Sequence, residues 1–156
     1  MKKVGFIGTG LMGFPMAKNL LKSGIKLKAY NRSIKKAEPL KKFDAEISSN
    51  LANVVKNNDF VITMLSDDKA VESIMGQADF LENLNPGSTV IDMSSVKPTT
   101  AIKYEKILKS KNINYLDAPV SGGTVGAEQA SLAIMVGGQQ SVFDNSESIL
   151  KMMGNP

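Results

Sequence analysis

Along this chain, short apolar runs rich in β-branched residues alternate with amphipathic stretches, the pattern of βαβ units around a parallel sheet. A strand over about 3–8 leads to a helix over about 11–22, with Met16, Ala17, Leu20 and Leu21 at core spacing and Gly24 as its stop. Pro15 falls in the first turn, where a missing N–H costs least. After a second strand at 26–30, Ser33 is expected to cap a short basic helix that Pro39 kinks or ends. A short strand near 45–47, a helix capped by Asn50 and a buried central strand at 59–65 follow. Asp67-Asp68 opens a helix through Met75, and Leu81 to Leu84 is expected to form another helical turn before the Asn85-Pro86-Gly87 turn. The second half brings a strand at 89–93, a helix at 99–109 begun by Pro98, and a strand at 113–116. Beyond the glycine-rich stretch 121–126 come a short helix, a strand at 132–136 and an amphipathic helix carrying Val142, Phe143, Ile149, Leu150 and Met153. Gly154-Asn155-Pro156 follows that helix directly.

The six residues Gly8-Thr9-Gly10-Leu11-Met12-Gly13 stand between the first apolar run and the first helical pattern. In that setting three glycines acquire separate tasks: Gly8 makes a tight turn, Gly10 lets backbone approach a pyrophosphate, and Gly13 lets helix pack on strand. The anion would rest on free N–H groups at the helix N-terminus, where the dipole favours negative charge. The alternative is a structural glycine turn. With the strand and helix on either side, the pattern predicts a Rossmann-type α/β fold, doubly wound, with a mostly parallel sheet and helices on both faces.

Composition narrows the chemistry. The 156 residues suit one domain, here residues 1–156, and contain neither cysteine nor histidine, which excludes disulfides, a thiol nucleophile, histidine general-base catalysis and His- or Cys-ligated zinc. No metal site is expected. Nineteen Lys+Arg against fifteen Asp+Glu give a net charge of +4, but the lysines are scattered, and only 35–36 and 41–42 are locally basic. Aromatics are too sparse around them for a nucleic-acid stacking platform, so a small anionic molecule is the expected partner. The absence of an 18-residue apolar run and of signal-peptide architecture leads to the expectation of a cytoplasmic protein with no membrane partner.

At the end of the second strand, where an acidic residue would bond the ribose 2′-OH of NAD, the chain has Asn31, Arg32 and Ser33. Nothing there repels a 2′-phosphate, and Arg32 can stack on adenine and bond the phosphate while Asn31, Ser33 and backbone N–H groups donate to it. This charge logic favours NADP over NAD. The other account is a turn asparagine, a capping serine and a surface arginine.

Several motifs in order, GFIGTGLMGFPMAKNLLKSG, NRS, VITMLSD, VIDMSSVKP and DAPVSGGTVGAEQASLAIMVGG, resemble the β-hydroxyacid dehydrogenases over essentially all of the chain. The resemblance implies reversible hydride transfer between a nicotinamide cofactor and a small β-hydroxy acid or aldehyde acid, of the 3-hydroxyisobutyrate, succinic semialdehyde or glyoxylate type. It further implies that Gly8, Gly10, Leu11, Met12 and Gly13 hold the pyrophosphate, and that Asn31, Arg32 and Ser33 hold the 2′-phosphate. By the same resemblance Met64 and Leu65 flank the adenosine side, and Ser95 sits by the nicotinamide end. Ser121, Gly122 and Gly123 fall in the family's substrate-binding motif. Their chemistry suits a carboxylate, with a hydroxyl donor and two uncrowded backbone N–H groups, although Ser-Gly-Gly is also an ordinary loop. Asp117 is taken as structural.

The family's catalytic lysine is implied to lie on a helix beyond Pro156, in a helical domain that completes the cleft and supports homo-oligomers. No catalytic residue is therefore assigned within the chain, which alone is expected to bind cofactor with negligible turnover and, without that domain, to leave apolar surface on its last helix exposed. The alternatives are a non-catalytic NADP-binding module of the same family and an NADPH-dependent imine reductase; DAPVSGG argues against the latter.

Overall fold

The computed structural model describes residues 2–156. Six strands, β1 (Lys3–Ile7), β2 (Lys26–Tyr30), β3 (Glu46–Ile47), β4 (Phe60–Thr63), β5 (Thr89–Asp92) and β6 (Asn114–Asp117), form one sheet in the order β3-β2-β1-β4-β5-β6. Every pairing in it is parallel. The order reverses direction between β1 and β4, the topological switch point at which open α/β sheets leave a crevice beyond their strand ends.

Alternation along each strand divides the core in two. Phe6, Ile62, Ile91 and Leu116 face α1 (Gly13–Lys22), α6 (Gly123–Glu128) and α7 (Gln140–Lys151), in a cluster with Met16, Leu20, Ala127, Ile149 and Leu150. Ile7, Val61, Val90 and Tyr115 face α2 (Leu51–Val55), α3 (Asp68–Met75), α4 (Ala78–Leu81) and α5 (Pro98–Ser110), with Val54, Val71, Phe80 and Leu108. Burial on both faces explains why β4 and β5 are buried at every position and read as continuous apolar runs. Each large aliphatic side chain so buried contributes about 1.5–3 kcal/mol.

Several details differ from expectation. Helix α1 begins at Gly13 because residues 10–12 form the turn itself. The basic helix is two short 3-10 helices, Ile34–Lys36 and Glu38–Phe43, and Pro39 opens the second rather than ending the first, since a proline in a first turn loses no hydrogen bond. The turn expected at Leu81 to Leu84 lies earlier, in α4, where fully buried Phe80 is the anchor. The glycine-rich stretch is not a loop throughout: from Gly123 it is α6. The apolar face of α7 is covered, with Ile149, Leu150 and Met153 wholly buried. Gly154–Asn155 is a strand, β9. It pairs parallel with β8 (Leu132–Ile134), which pairs antiparallel with β7 (Val120–Ser121). A side chain at residue 154 would run into the Leu132 backbone, so only glycine lets the two strands approach.

Candidate functional site

The glycine turn lies at the switch point, where β1 passes into α1. Gly8 has φ +102° and donates its N–H to Tyr30 O at 2.9 Å; a side chain there would strike the Met64 carbonyl. A side chain at Gly13 would strike the Gly8 carbonyl. At Gly10 a Cβ would meet nothing within 4 Å. Two glycines are thus demanded by the protein's own backbone, while the third opens onto free space, the property of a cradle for an outside molecule. No side chain caps α1, and Phe14 N, reaching Gly10 O at 3.0 Å, is the first N–H of the helix start to find a turn carbonyl. The N–H groups of residues 10–13 are left for an anion, among the described residues. Leu11, at the tip, is 85 % exposed, and Met12 is half-buried.

Asn31 ties this turn to the end of β2. Its Oδ1 accepts from Thr9 N at 2.9 Å and its Nδ2 donates to Ser33 O at 2.9 Å. Both ends of the amide are engaged within the protein, so Asn31 holds the turn, and one N–H of its Nδ2 is left over.

A cleft of about 580 Å³ lies over the C-terminal ends of β1, β2 and β4. It is lined by Gly8, Gly10, Asn31, Arg32, Ser33, Met64 and Leu65, seven of the residues singled out in the sequence. Lys36 and Lys69 also line it, and the sequence reading missed both. Lys36 ends the short 3-10 helix Ile34–Lys36 and was read only as part of a locally basic stretch. Among the described residues no ion pair engages Arg32, Lys36 or Lys69. The one carboxylate on the lining, Asp67, caps α3, its Oδ1 accepting from Ala70 N at 2.8 Å.

A second cleft, of about 740 Å³, lies on the other side of the turn. Gly10 and Lys36 border both clefts, and Leu11, Phe14, Lys18, Thr124 and Glu128 line the second. Ser121, Gly122 and Gly123 are exposed immediately before Thr124, with φ +140° at Gly122 and +61° at Gly123. Asn19 Nδ2 donates to Ala127 O at 2.7 Å, so α1 holds the C-terminal end of the helix that follows them. Ser95 is exposed beyond β5, and neither it, Met12 nor Gly13 borders either cleft.

Behind Leu65 lies a buried polar network. Leu65 N donates to Ser94 Oγ at 2.8 Å, and Asp92 Oδ1 accepts from Ser94 N at 3.1 Å and from Thr63 Oγ1 at 2.9 Å. Burial raises the Asp92 carboxyl above the usual carboxylate range in spite of those donors. On the neighbouring strand, burial and then the charge of Asp92 push Asp117 up to about 6. Asp68 goes the other way: Thr100 Oγ1 at 2.7 Å and Lys97 N at 2.9 Å donate to its carboxylate and lower it.

Comparison with known proteins agrees with this geometry. Residues 3–156 match the family model described as the NAD binding domain of 6-phosphogluconate dehydrogenase. The chain is 39 % identical to 2-(hydroxymethyl)glutarate dehydrogenase of Eubacterium barkeri over 153 residues, 97 % of this chain and 51 % of that protein. It superposes on 3-hydroxyisobutyrate dehydrogenase of Mycobacterium tuberculosis, solved with L-serine, with a TM-score of 0.94 and 32 % identity, covering 99 % of this chain and 52 % of that one. A structure of Psf3 in complex with NADP+ and 2-OPP gives a TM-score of 0.92 at 27 % identity, covering 97 % and 54 %. The chain spans about half the length of the curated relatives it matches.

Proposed function

The chain belongs to the β-hydroxyacid dehydrogenase family, whose N-terminal NAD-binding domain it carries, and from that premise we propose that it holds NADP(H) in preference to NAD(H). In this reading the pyrophosphate lies over Gly10 on the N–H groups of Leu11, Met12 and Gly13, with Met64 and Leu65 walling the adenosine side. Arg32, Ser33 and Lys36 take the 2′-phosphate, and Asn31 keeps the two phosphate sites in register. Bound, the cofactor supplies or accepts a hydride at its nicotinamide ring. Ser121, Gly122 and Gly123 receive the carboxylate of a small β-hydroxy acid or aldehyde acid of the 3-hydroxyisobutyrate, succinic semialdehyde or glyoxylate type. No catalytic residue is assigned among residues 1–156.

One observation carries the cofactor preference: Arg32, Lys36 and Lys69 converge on a cleft whose sole carboxylate, Asp67, is occupied as a helix cap. An NAD-selective site has an acid at the end of the second strand, where it bonds the 2′-OH and repels a phosphate. Titration calorimetry is expected to show NADPH binding at least about tenfold tighter than NADH, a difference of about 1.4 kcal/mol. Equal affinities would remove the preference.

A further inference from the structure

The last register row of the sheet runs Tyr30, Ile7, Thr63, Asp92, Asp117. Two residues back on the same strands, Val61, Val90 and Tyr115 all belong to the core under α2 to α5. Strand alternation therefore sets Thr63, Asp92 and Asp117 side by side on that face. The row begins apolar, beneath the cofactor cleft, and ends in two carboxyl groups on adjacent strands.

Asp92 is wholly buried, and its Oδ1 is used by Thr63 and Ser94. Its Oδ2 and the Oδ1 of Asp117 are both buried without a partner. Two ionised carboxylates on adjacent strands would leave two desolvated, mutually repelling charges, whereas a single retained proton removes one of them and supplies a donor. We propose that Asp92 and Asp117, neighbours in one register row, hold a single proton between them, and that the pair positions the Ser121-Gly122-Gly123 loop that follows β6.

The placement supports that role. On one side the pair is joined through Asp92 and Ser94 to Leu65, which lines the cleft. On the other, Asp117 is the last residue of β6, clasped by Gly137 through two backbone bonds of 3.0 and 2.7 Å, and Ser121 follows four residues later. The positioning role rests on the cofactor reading above; the shared proton does not. The titratable groups that face the pair are acidic: Asp68 from α3, the Tyr115 hydroxyl on β6 and, toward Tyr115, Glu105 on α5. The charge of Asp68 favours retention of the proton, and the Tyr115 hydroxyl stays neutral beside it. With Asp117 raised to about 6 against an ordinary value of about 3.9, the stabilisation is complete at low pH and is lost as pH rises through 6.

Carboxyl ¹³C NMR on the full chain without cofactor tests this. Asp117 is expected to titrate near 6, with the Gly122 and Gly123 amide signals moving along the same curve. In Asp92→Asn, which removes the neighbouring charge but not the burial, the Asp117 titration should fall below 6. Asp117→Asn carries a permanent donor; it should fold, lose the decline in Tm between about pH 4 and 6, and leave the glycine signals flat. A wild-type Asp117 that titrates in the ordinary range would overturn the shared proton, and glycine signals indifferent to a titration near 6 would overturn the positioning role. Absent NADPH binding with the Asp117 titration intact would remove the cofactor reading and leave the shared proton standing.

Discussion

Two glycine-rich segments open helices at the same edge of this molecule, and their glycines are there for different reasons. At the first, before α1, Gly8 and Gly13 are hemmed in by the backbone of Met64 and of Gly8 itself, and Asn31 bolts the turn to β2. At the second, before α6, Gly123 would meet nothing within 4 Å, and Gly122 has only the flexible Leu132 side chain at 3.3 Å and Gly126 beyond it. Positive φ, rather than crowding, demands glycine there. The first segment is organised by close packing before any ligand arrives, which lowers the ordering cost of binding. The second takes its shape from dihedral angles and from what it leans on, namely Asn19 of α1 and the end of β6.

The contrast breaks most visibly at Gly13. Gly13→Ala forces a methyl group into the Gly8 carbonyl, and backbone cannot rotate away as a side chain would; a loss of about 3 kcal/mol or more is expected, read as a fall in Tm. Gly10→Ala should melt like the wild type and bind NADPH at least tenfold more weakly, because the space that it fills is the ligand's. A Gly10→Ala protein with full affinity would mean that the turn is organised for packing alone.

Asn31 and Arg32 sharpen the same contrast between holding the turn and holding the ligand. Asn31→Ala strands the half-buried Thr9 N–H and should cost about 1–2 kcal/mol of stability. It should weaken NADPH and NADH together, since both rest on the turn. Arg32→Ala should leave Tm unchanged and weaken NADPH alone, about tenfold or more, through loss of a charge-assisted bond to the 2′-phosphate. Parallel losses for both cofactors in Arg32→Ala would place the arginine on something other than that phosphate.

How much was legible in the sequence follows the same division. The sheet and the first turn were, because a two-sided buried strand followed by Gly-x-Gly-x-x-Gly leaves few alternatives: the structure places Gly8, Gly10, Arg32, Ser33, Met64 and Leu65 on one cleft. Asn31 was legible as a residue at the site but not as a strut, since its two bonds reach the backbone of residues 9 and 33, a meeting made only by the fold. Lys36 and Lys69 were missed because local sequence cannot distinguish a lysine over a cleft from one in water. The small sheet of β7, β8 and β9 was missed for a related reason: a two-residue strand such as Gly154–Asn155 has no periodicity, and only its partner Leu132 defines it. The Asp92–Asp117 row is likewise a property of register, with 24 intervening residues hiding it from any local pattern.

The smallest expected effect comes from the ends of the two helices, which make the same motif with different residues. After α1, Gly24 at φ +89° sends its N–H to Leu21 O at 3.0 Å, and Ile25 N reaches Leu20 O at 3.2 Å. After α6, Ala130 at φ +55° sends its N–H to Ala127 O at 3.4 Å, and Ser131 N reaches Gly126 O at 2.9 Å. Both are Schellman ends, whose left-handed position normally takes glycine. An L side chain there costs about 1–2 kcal/mol, and glycine returns about 0.4–1 kcal/mol of that through the greater freedom of the unfolded chain. Ala130→Gly should therefore gain about 0.5–1 kcal/mol, a rise of about 1–4 °C in Tm for a domain of this size. Gly24→Ala, whose Cβ would meet nothing within 4 Å, should lose a similar amount, because the dihedral cost is its only cost. Differential scanning calorimetry of the two variants and their combination gives the comparison directly: opposite shifts that cancel in the double variant are expected. A fall in Tm for Ala130→Gly would mean that its methyl group packs well enough to outweigh the strain, and that the second segment is as closely built as the first.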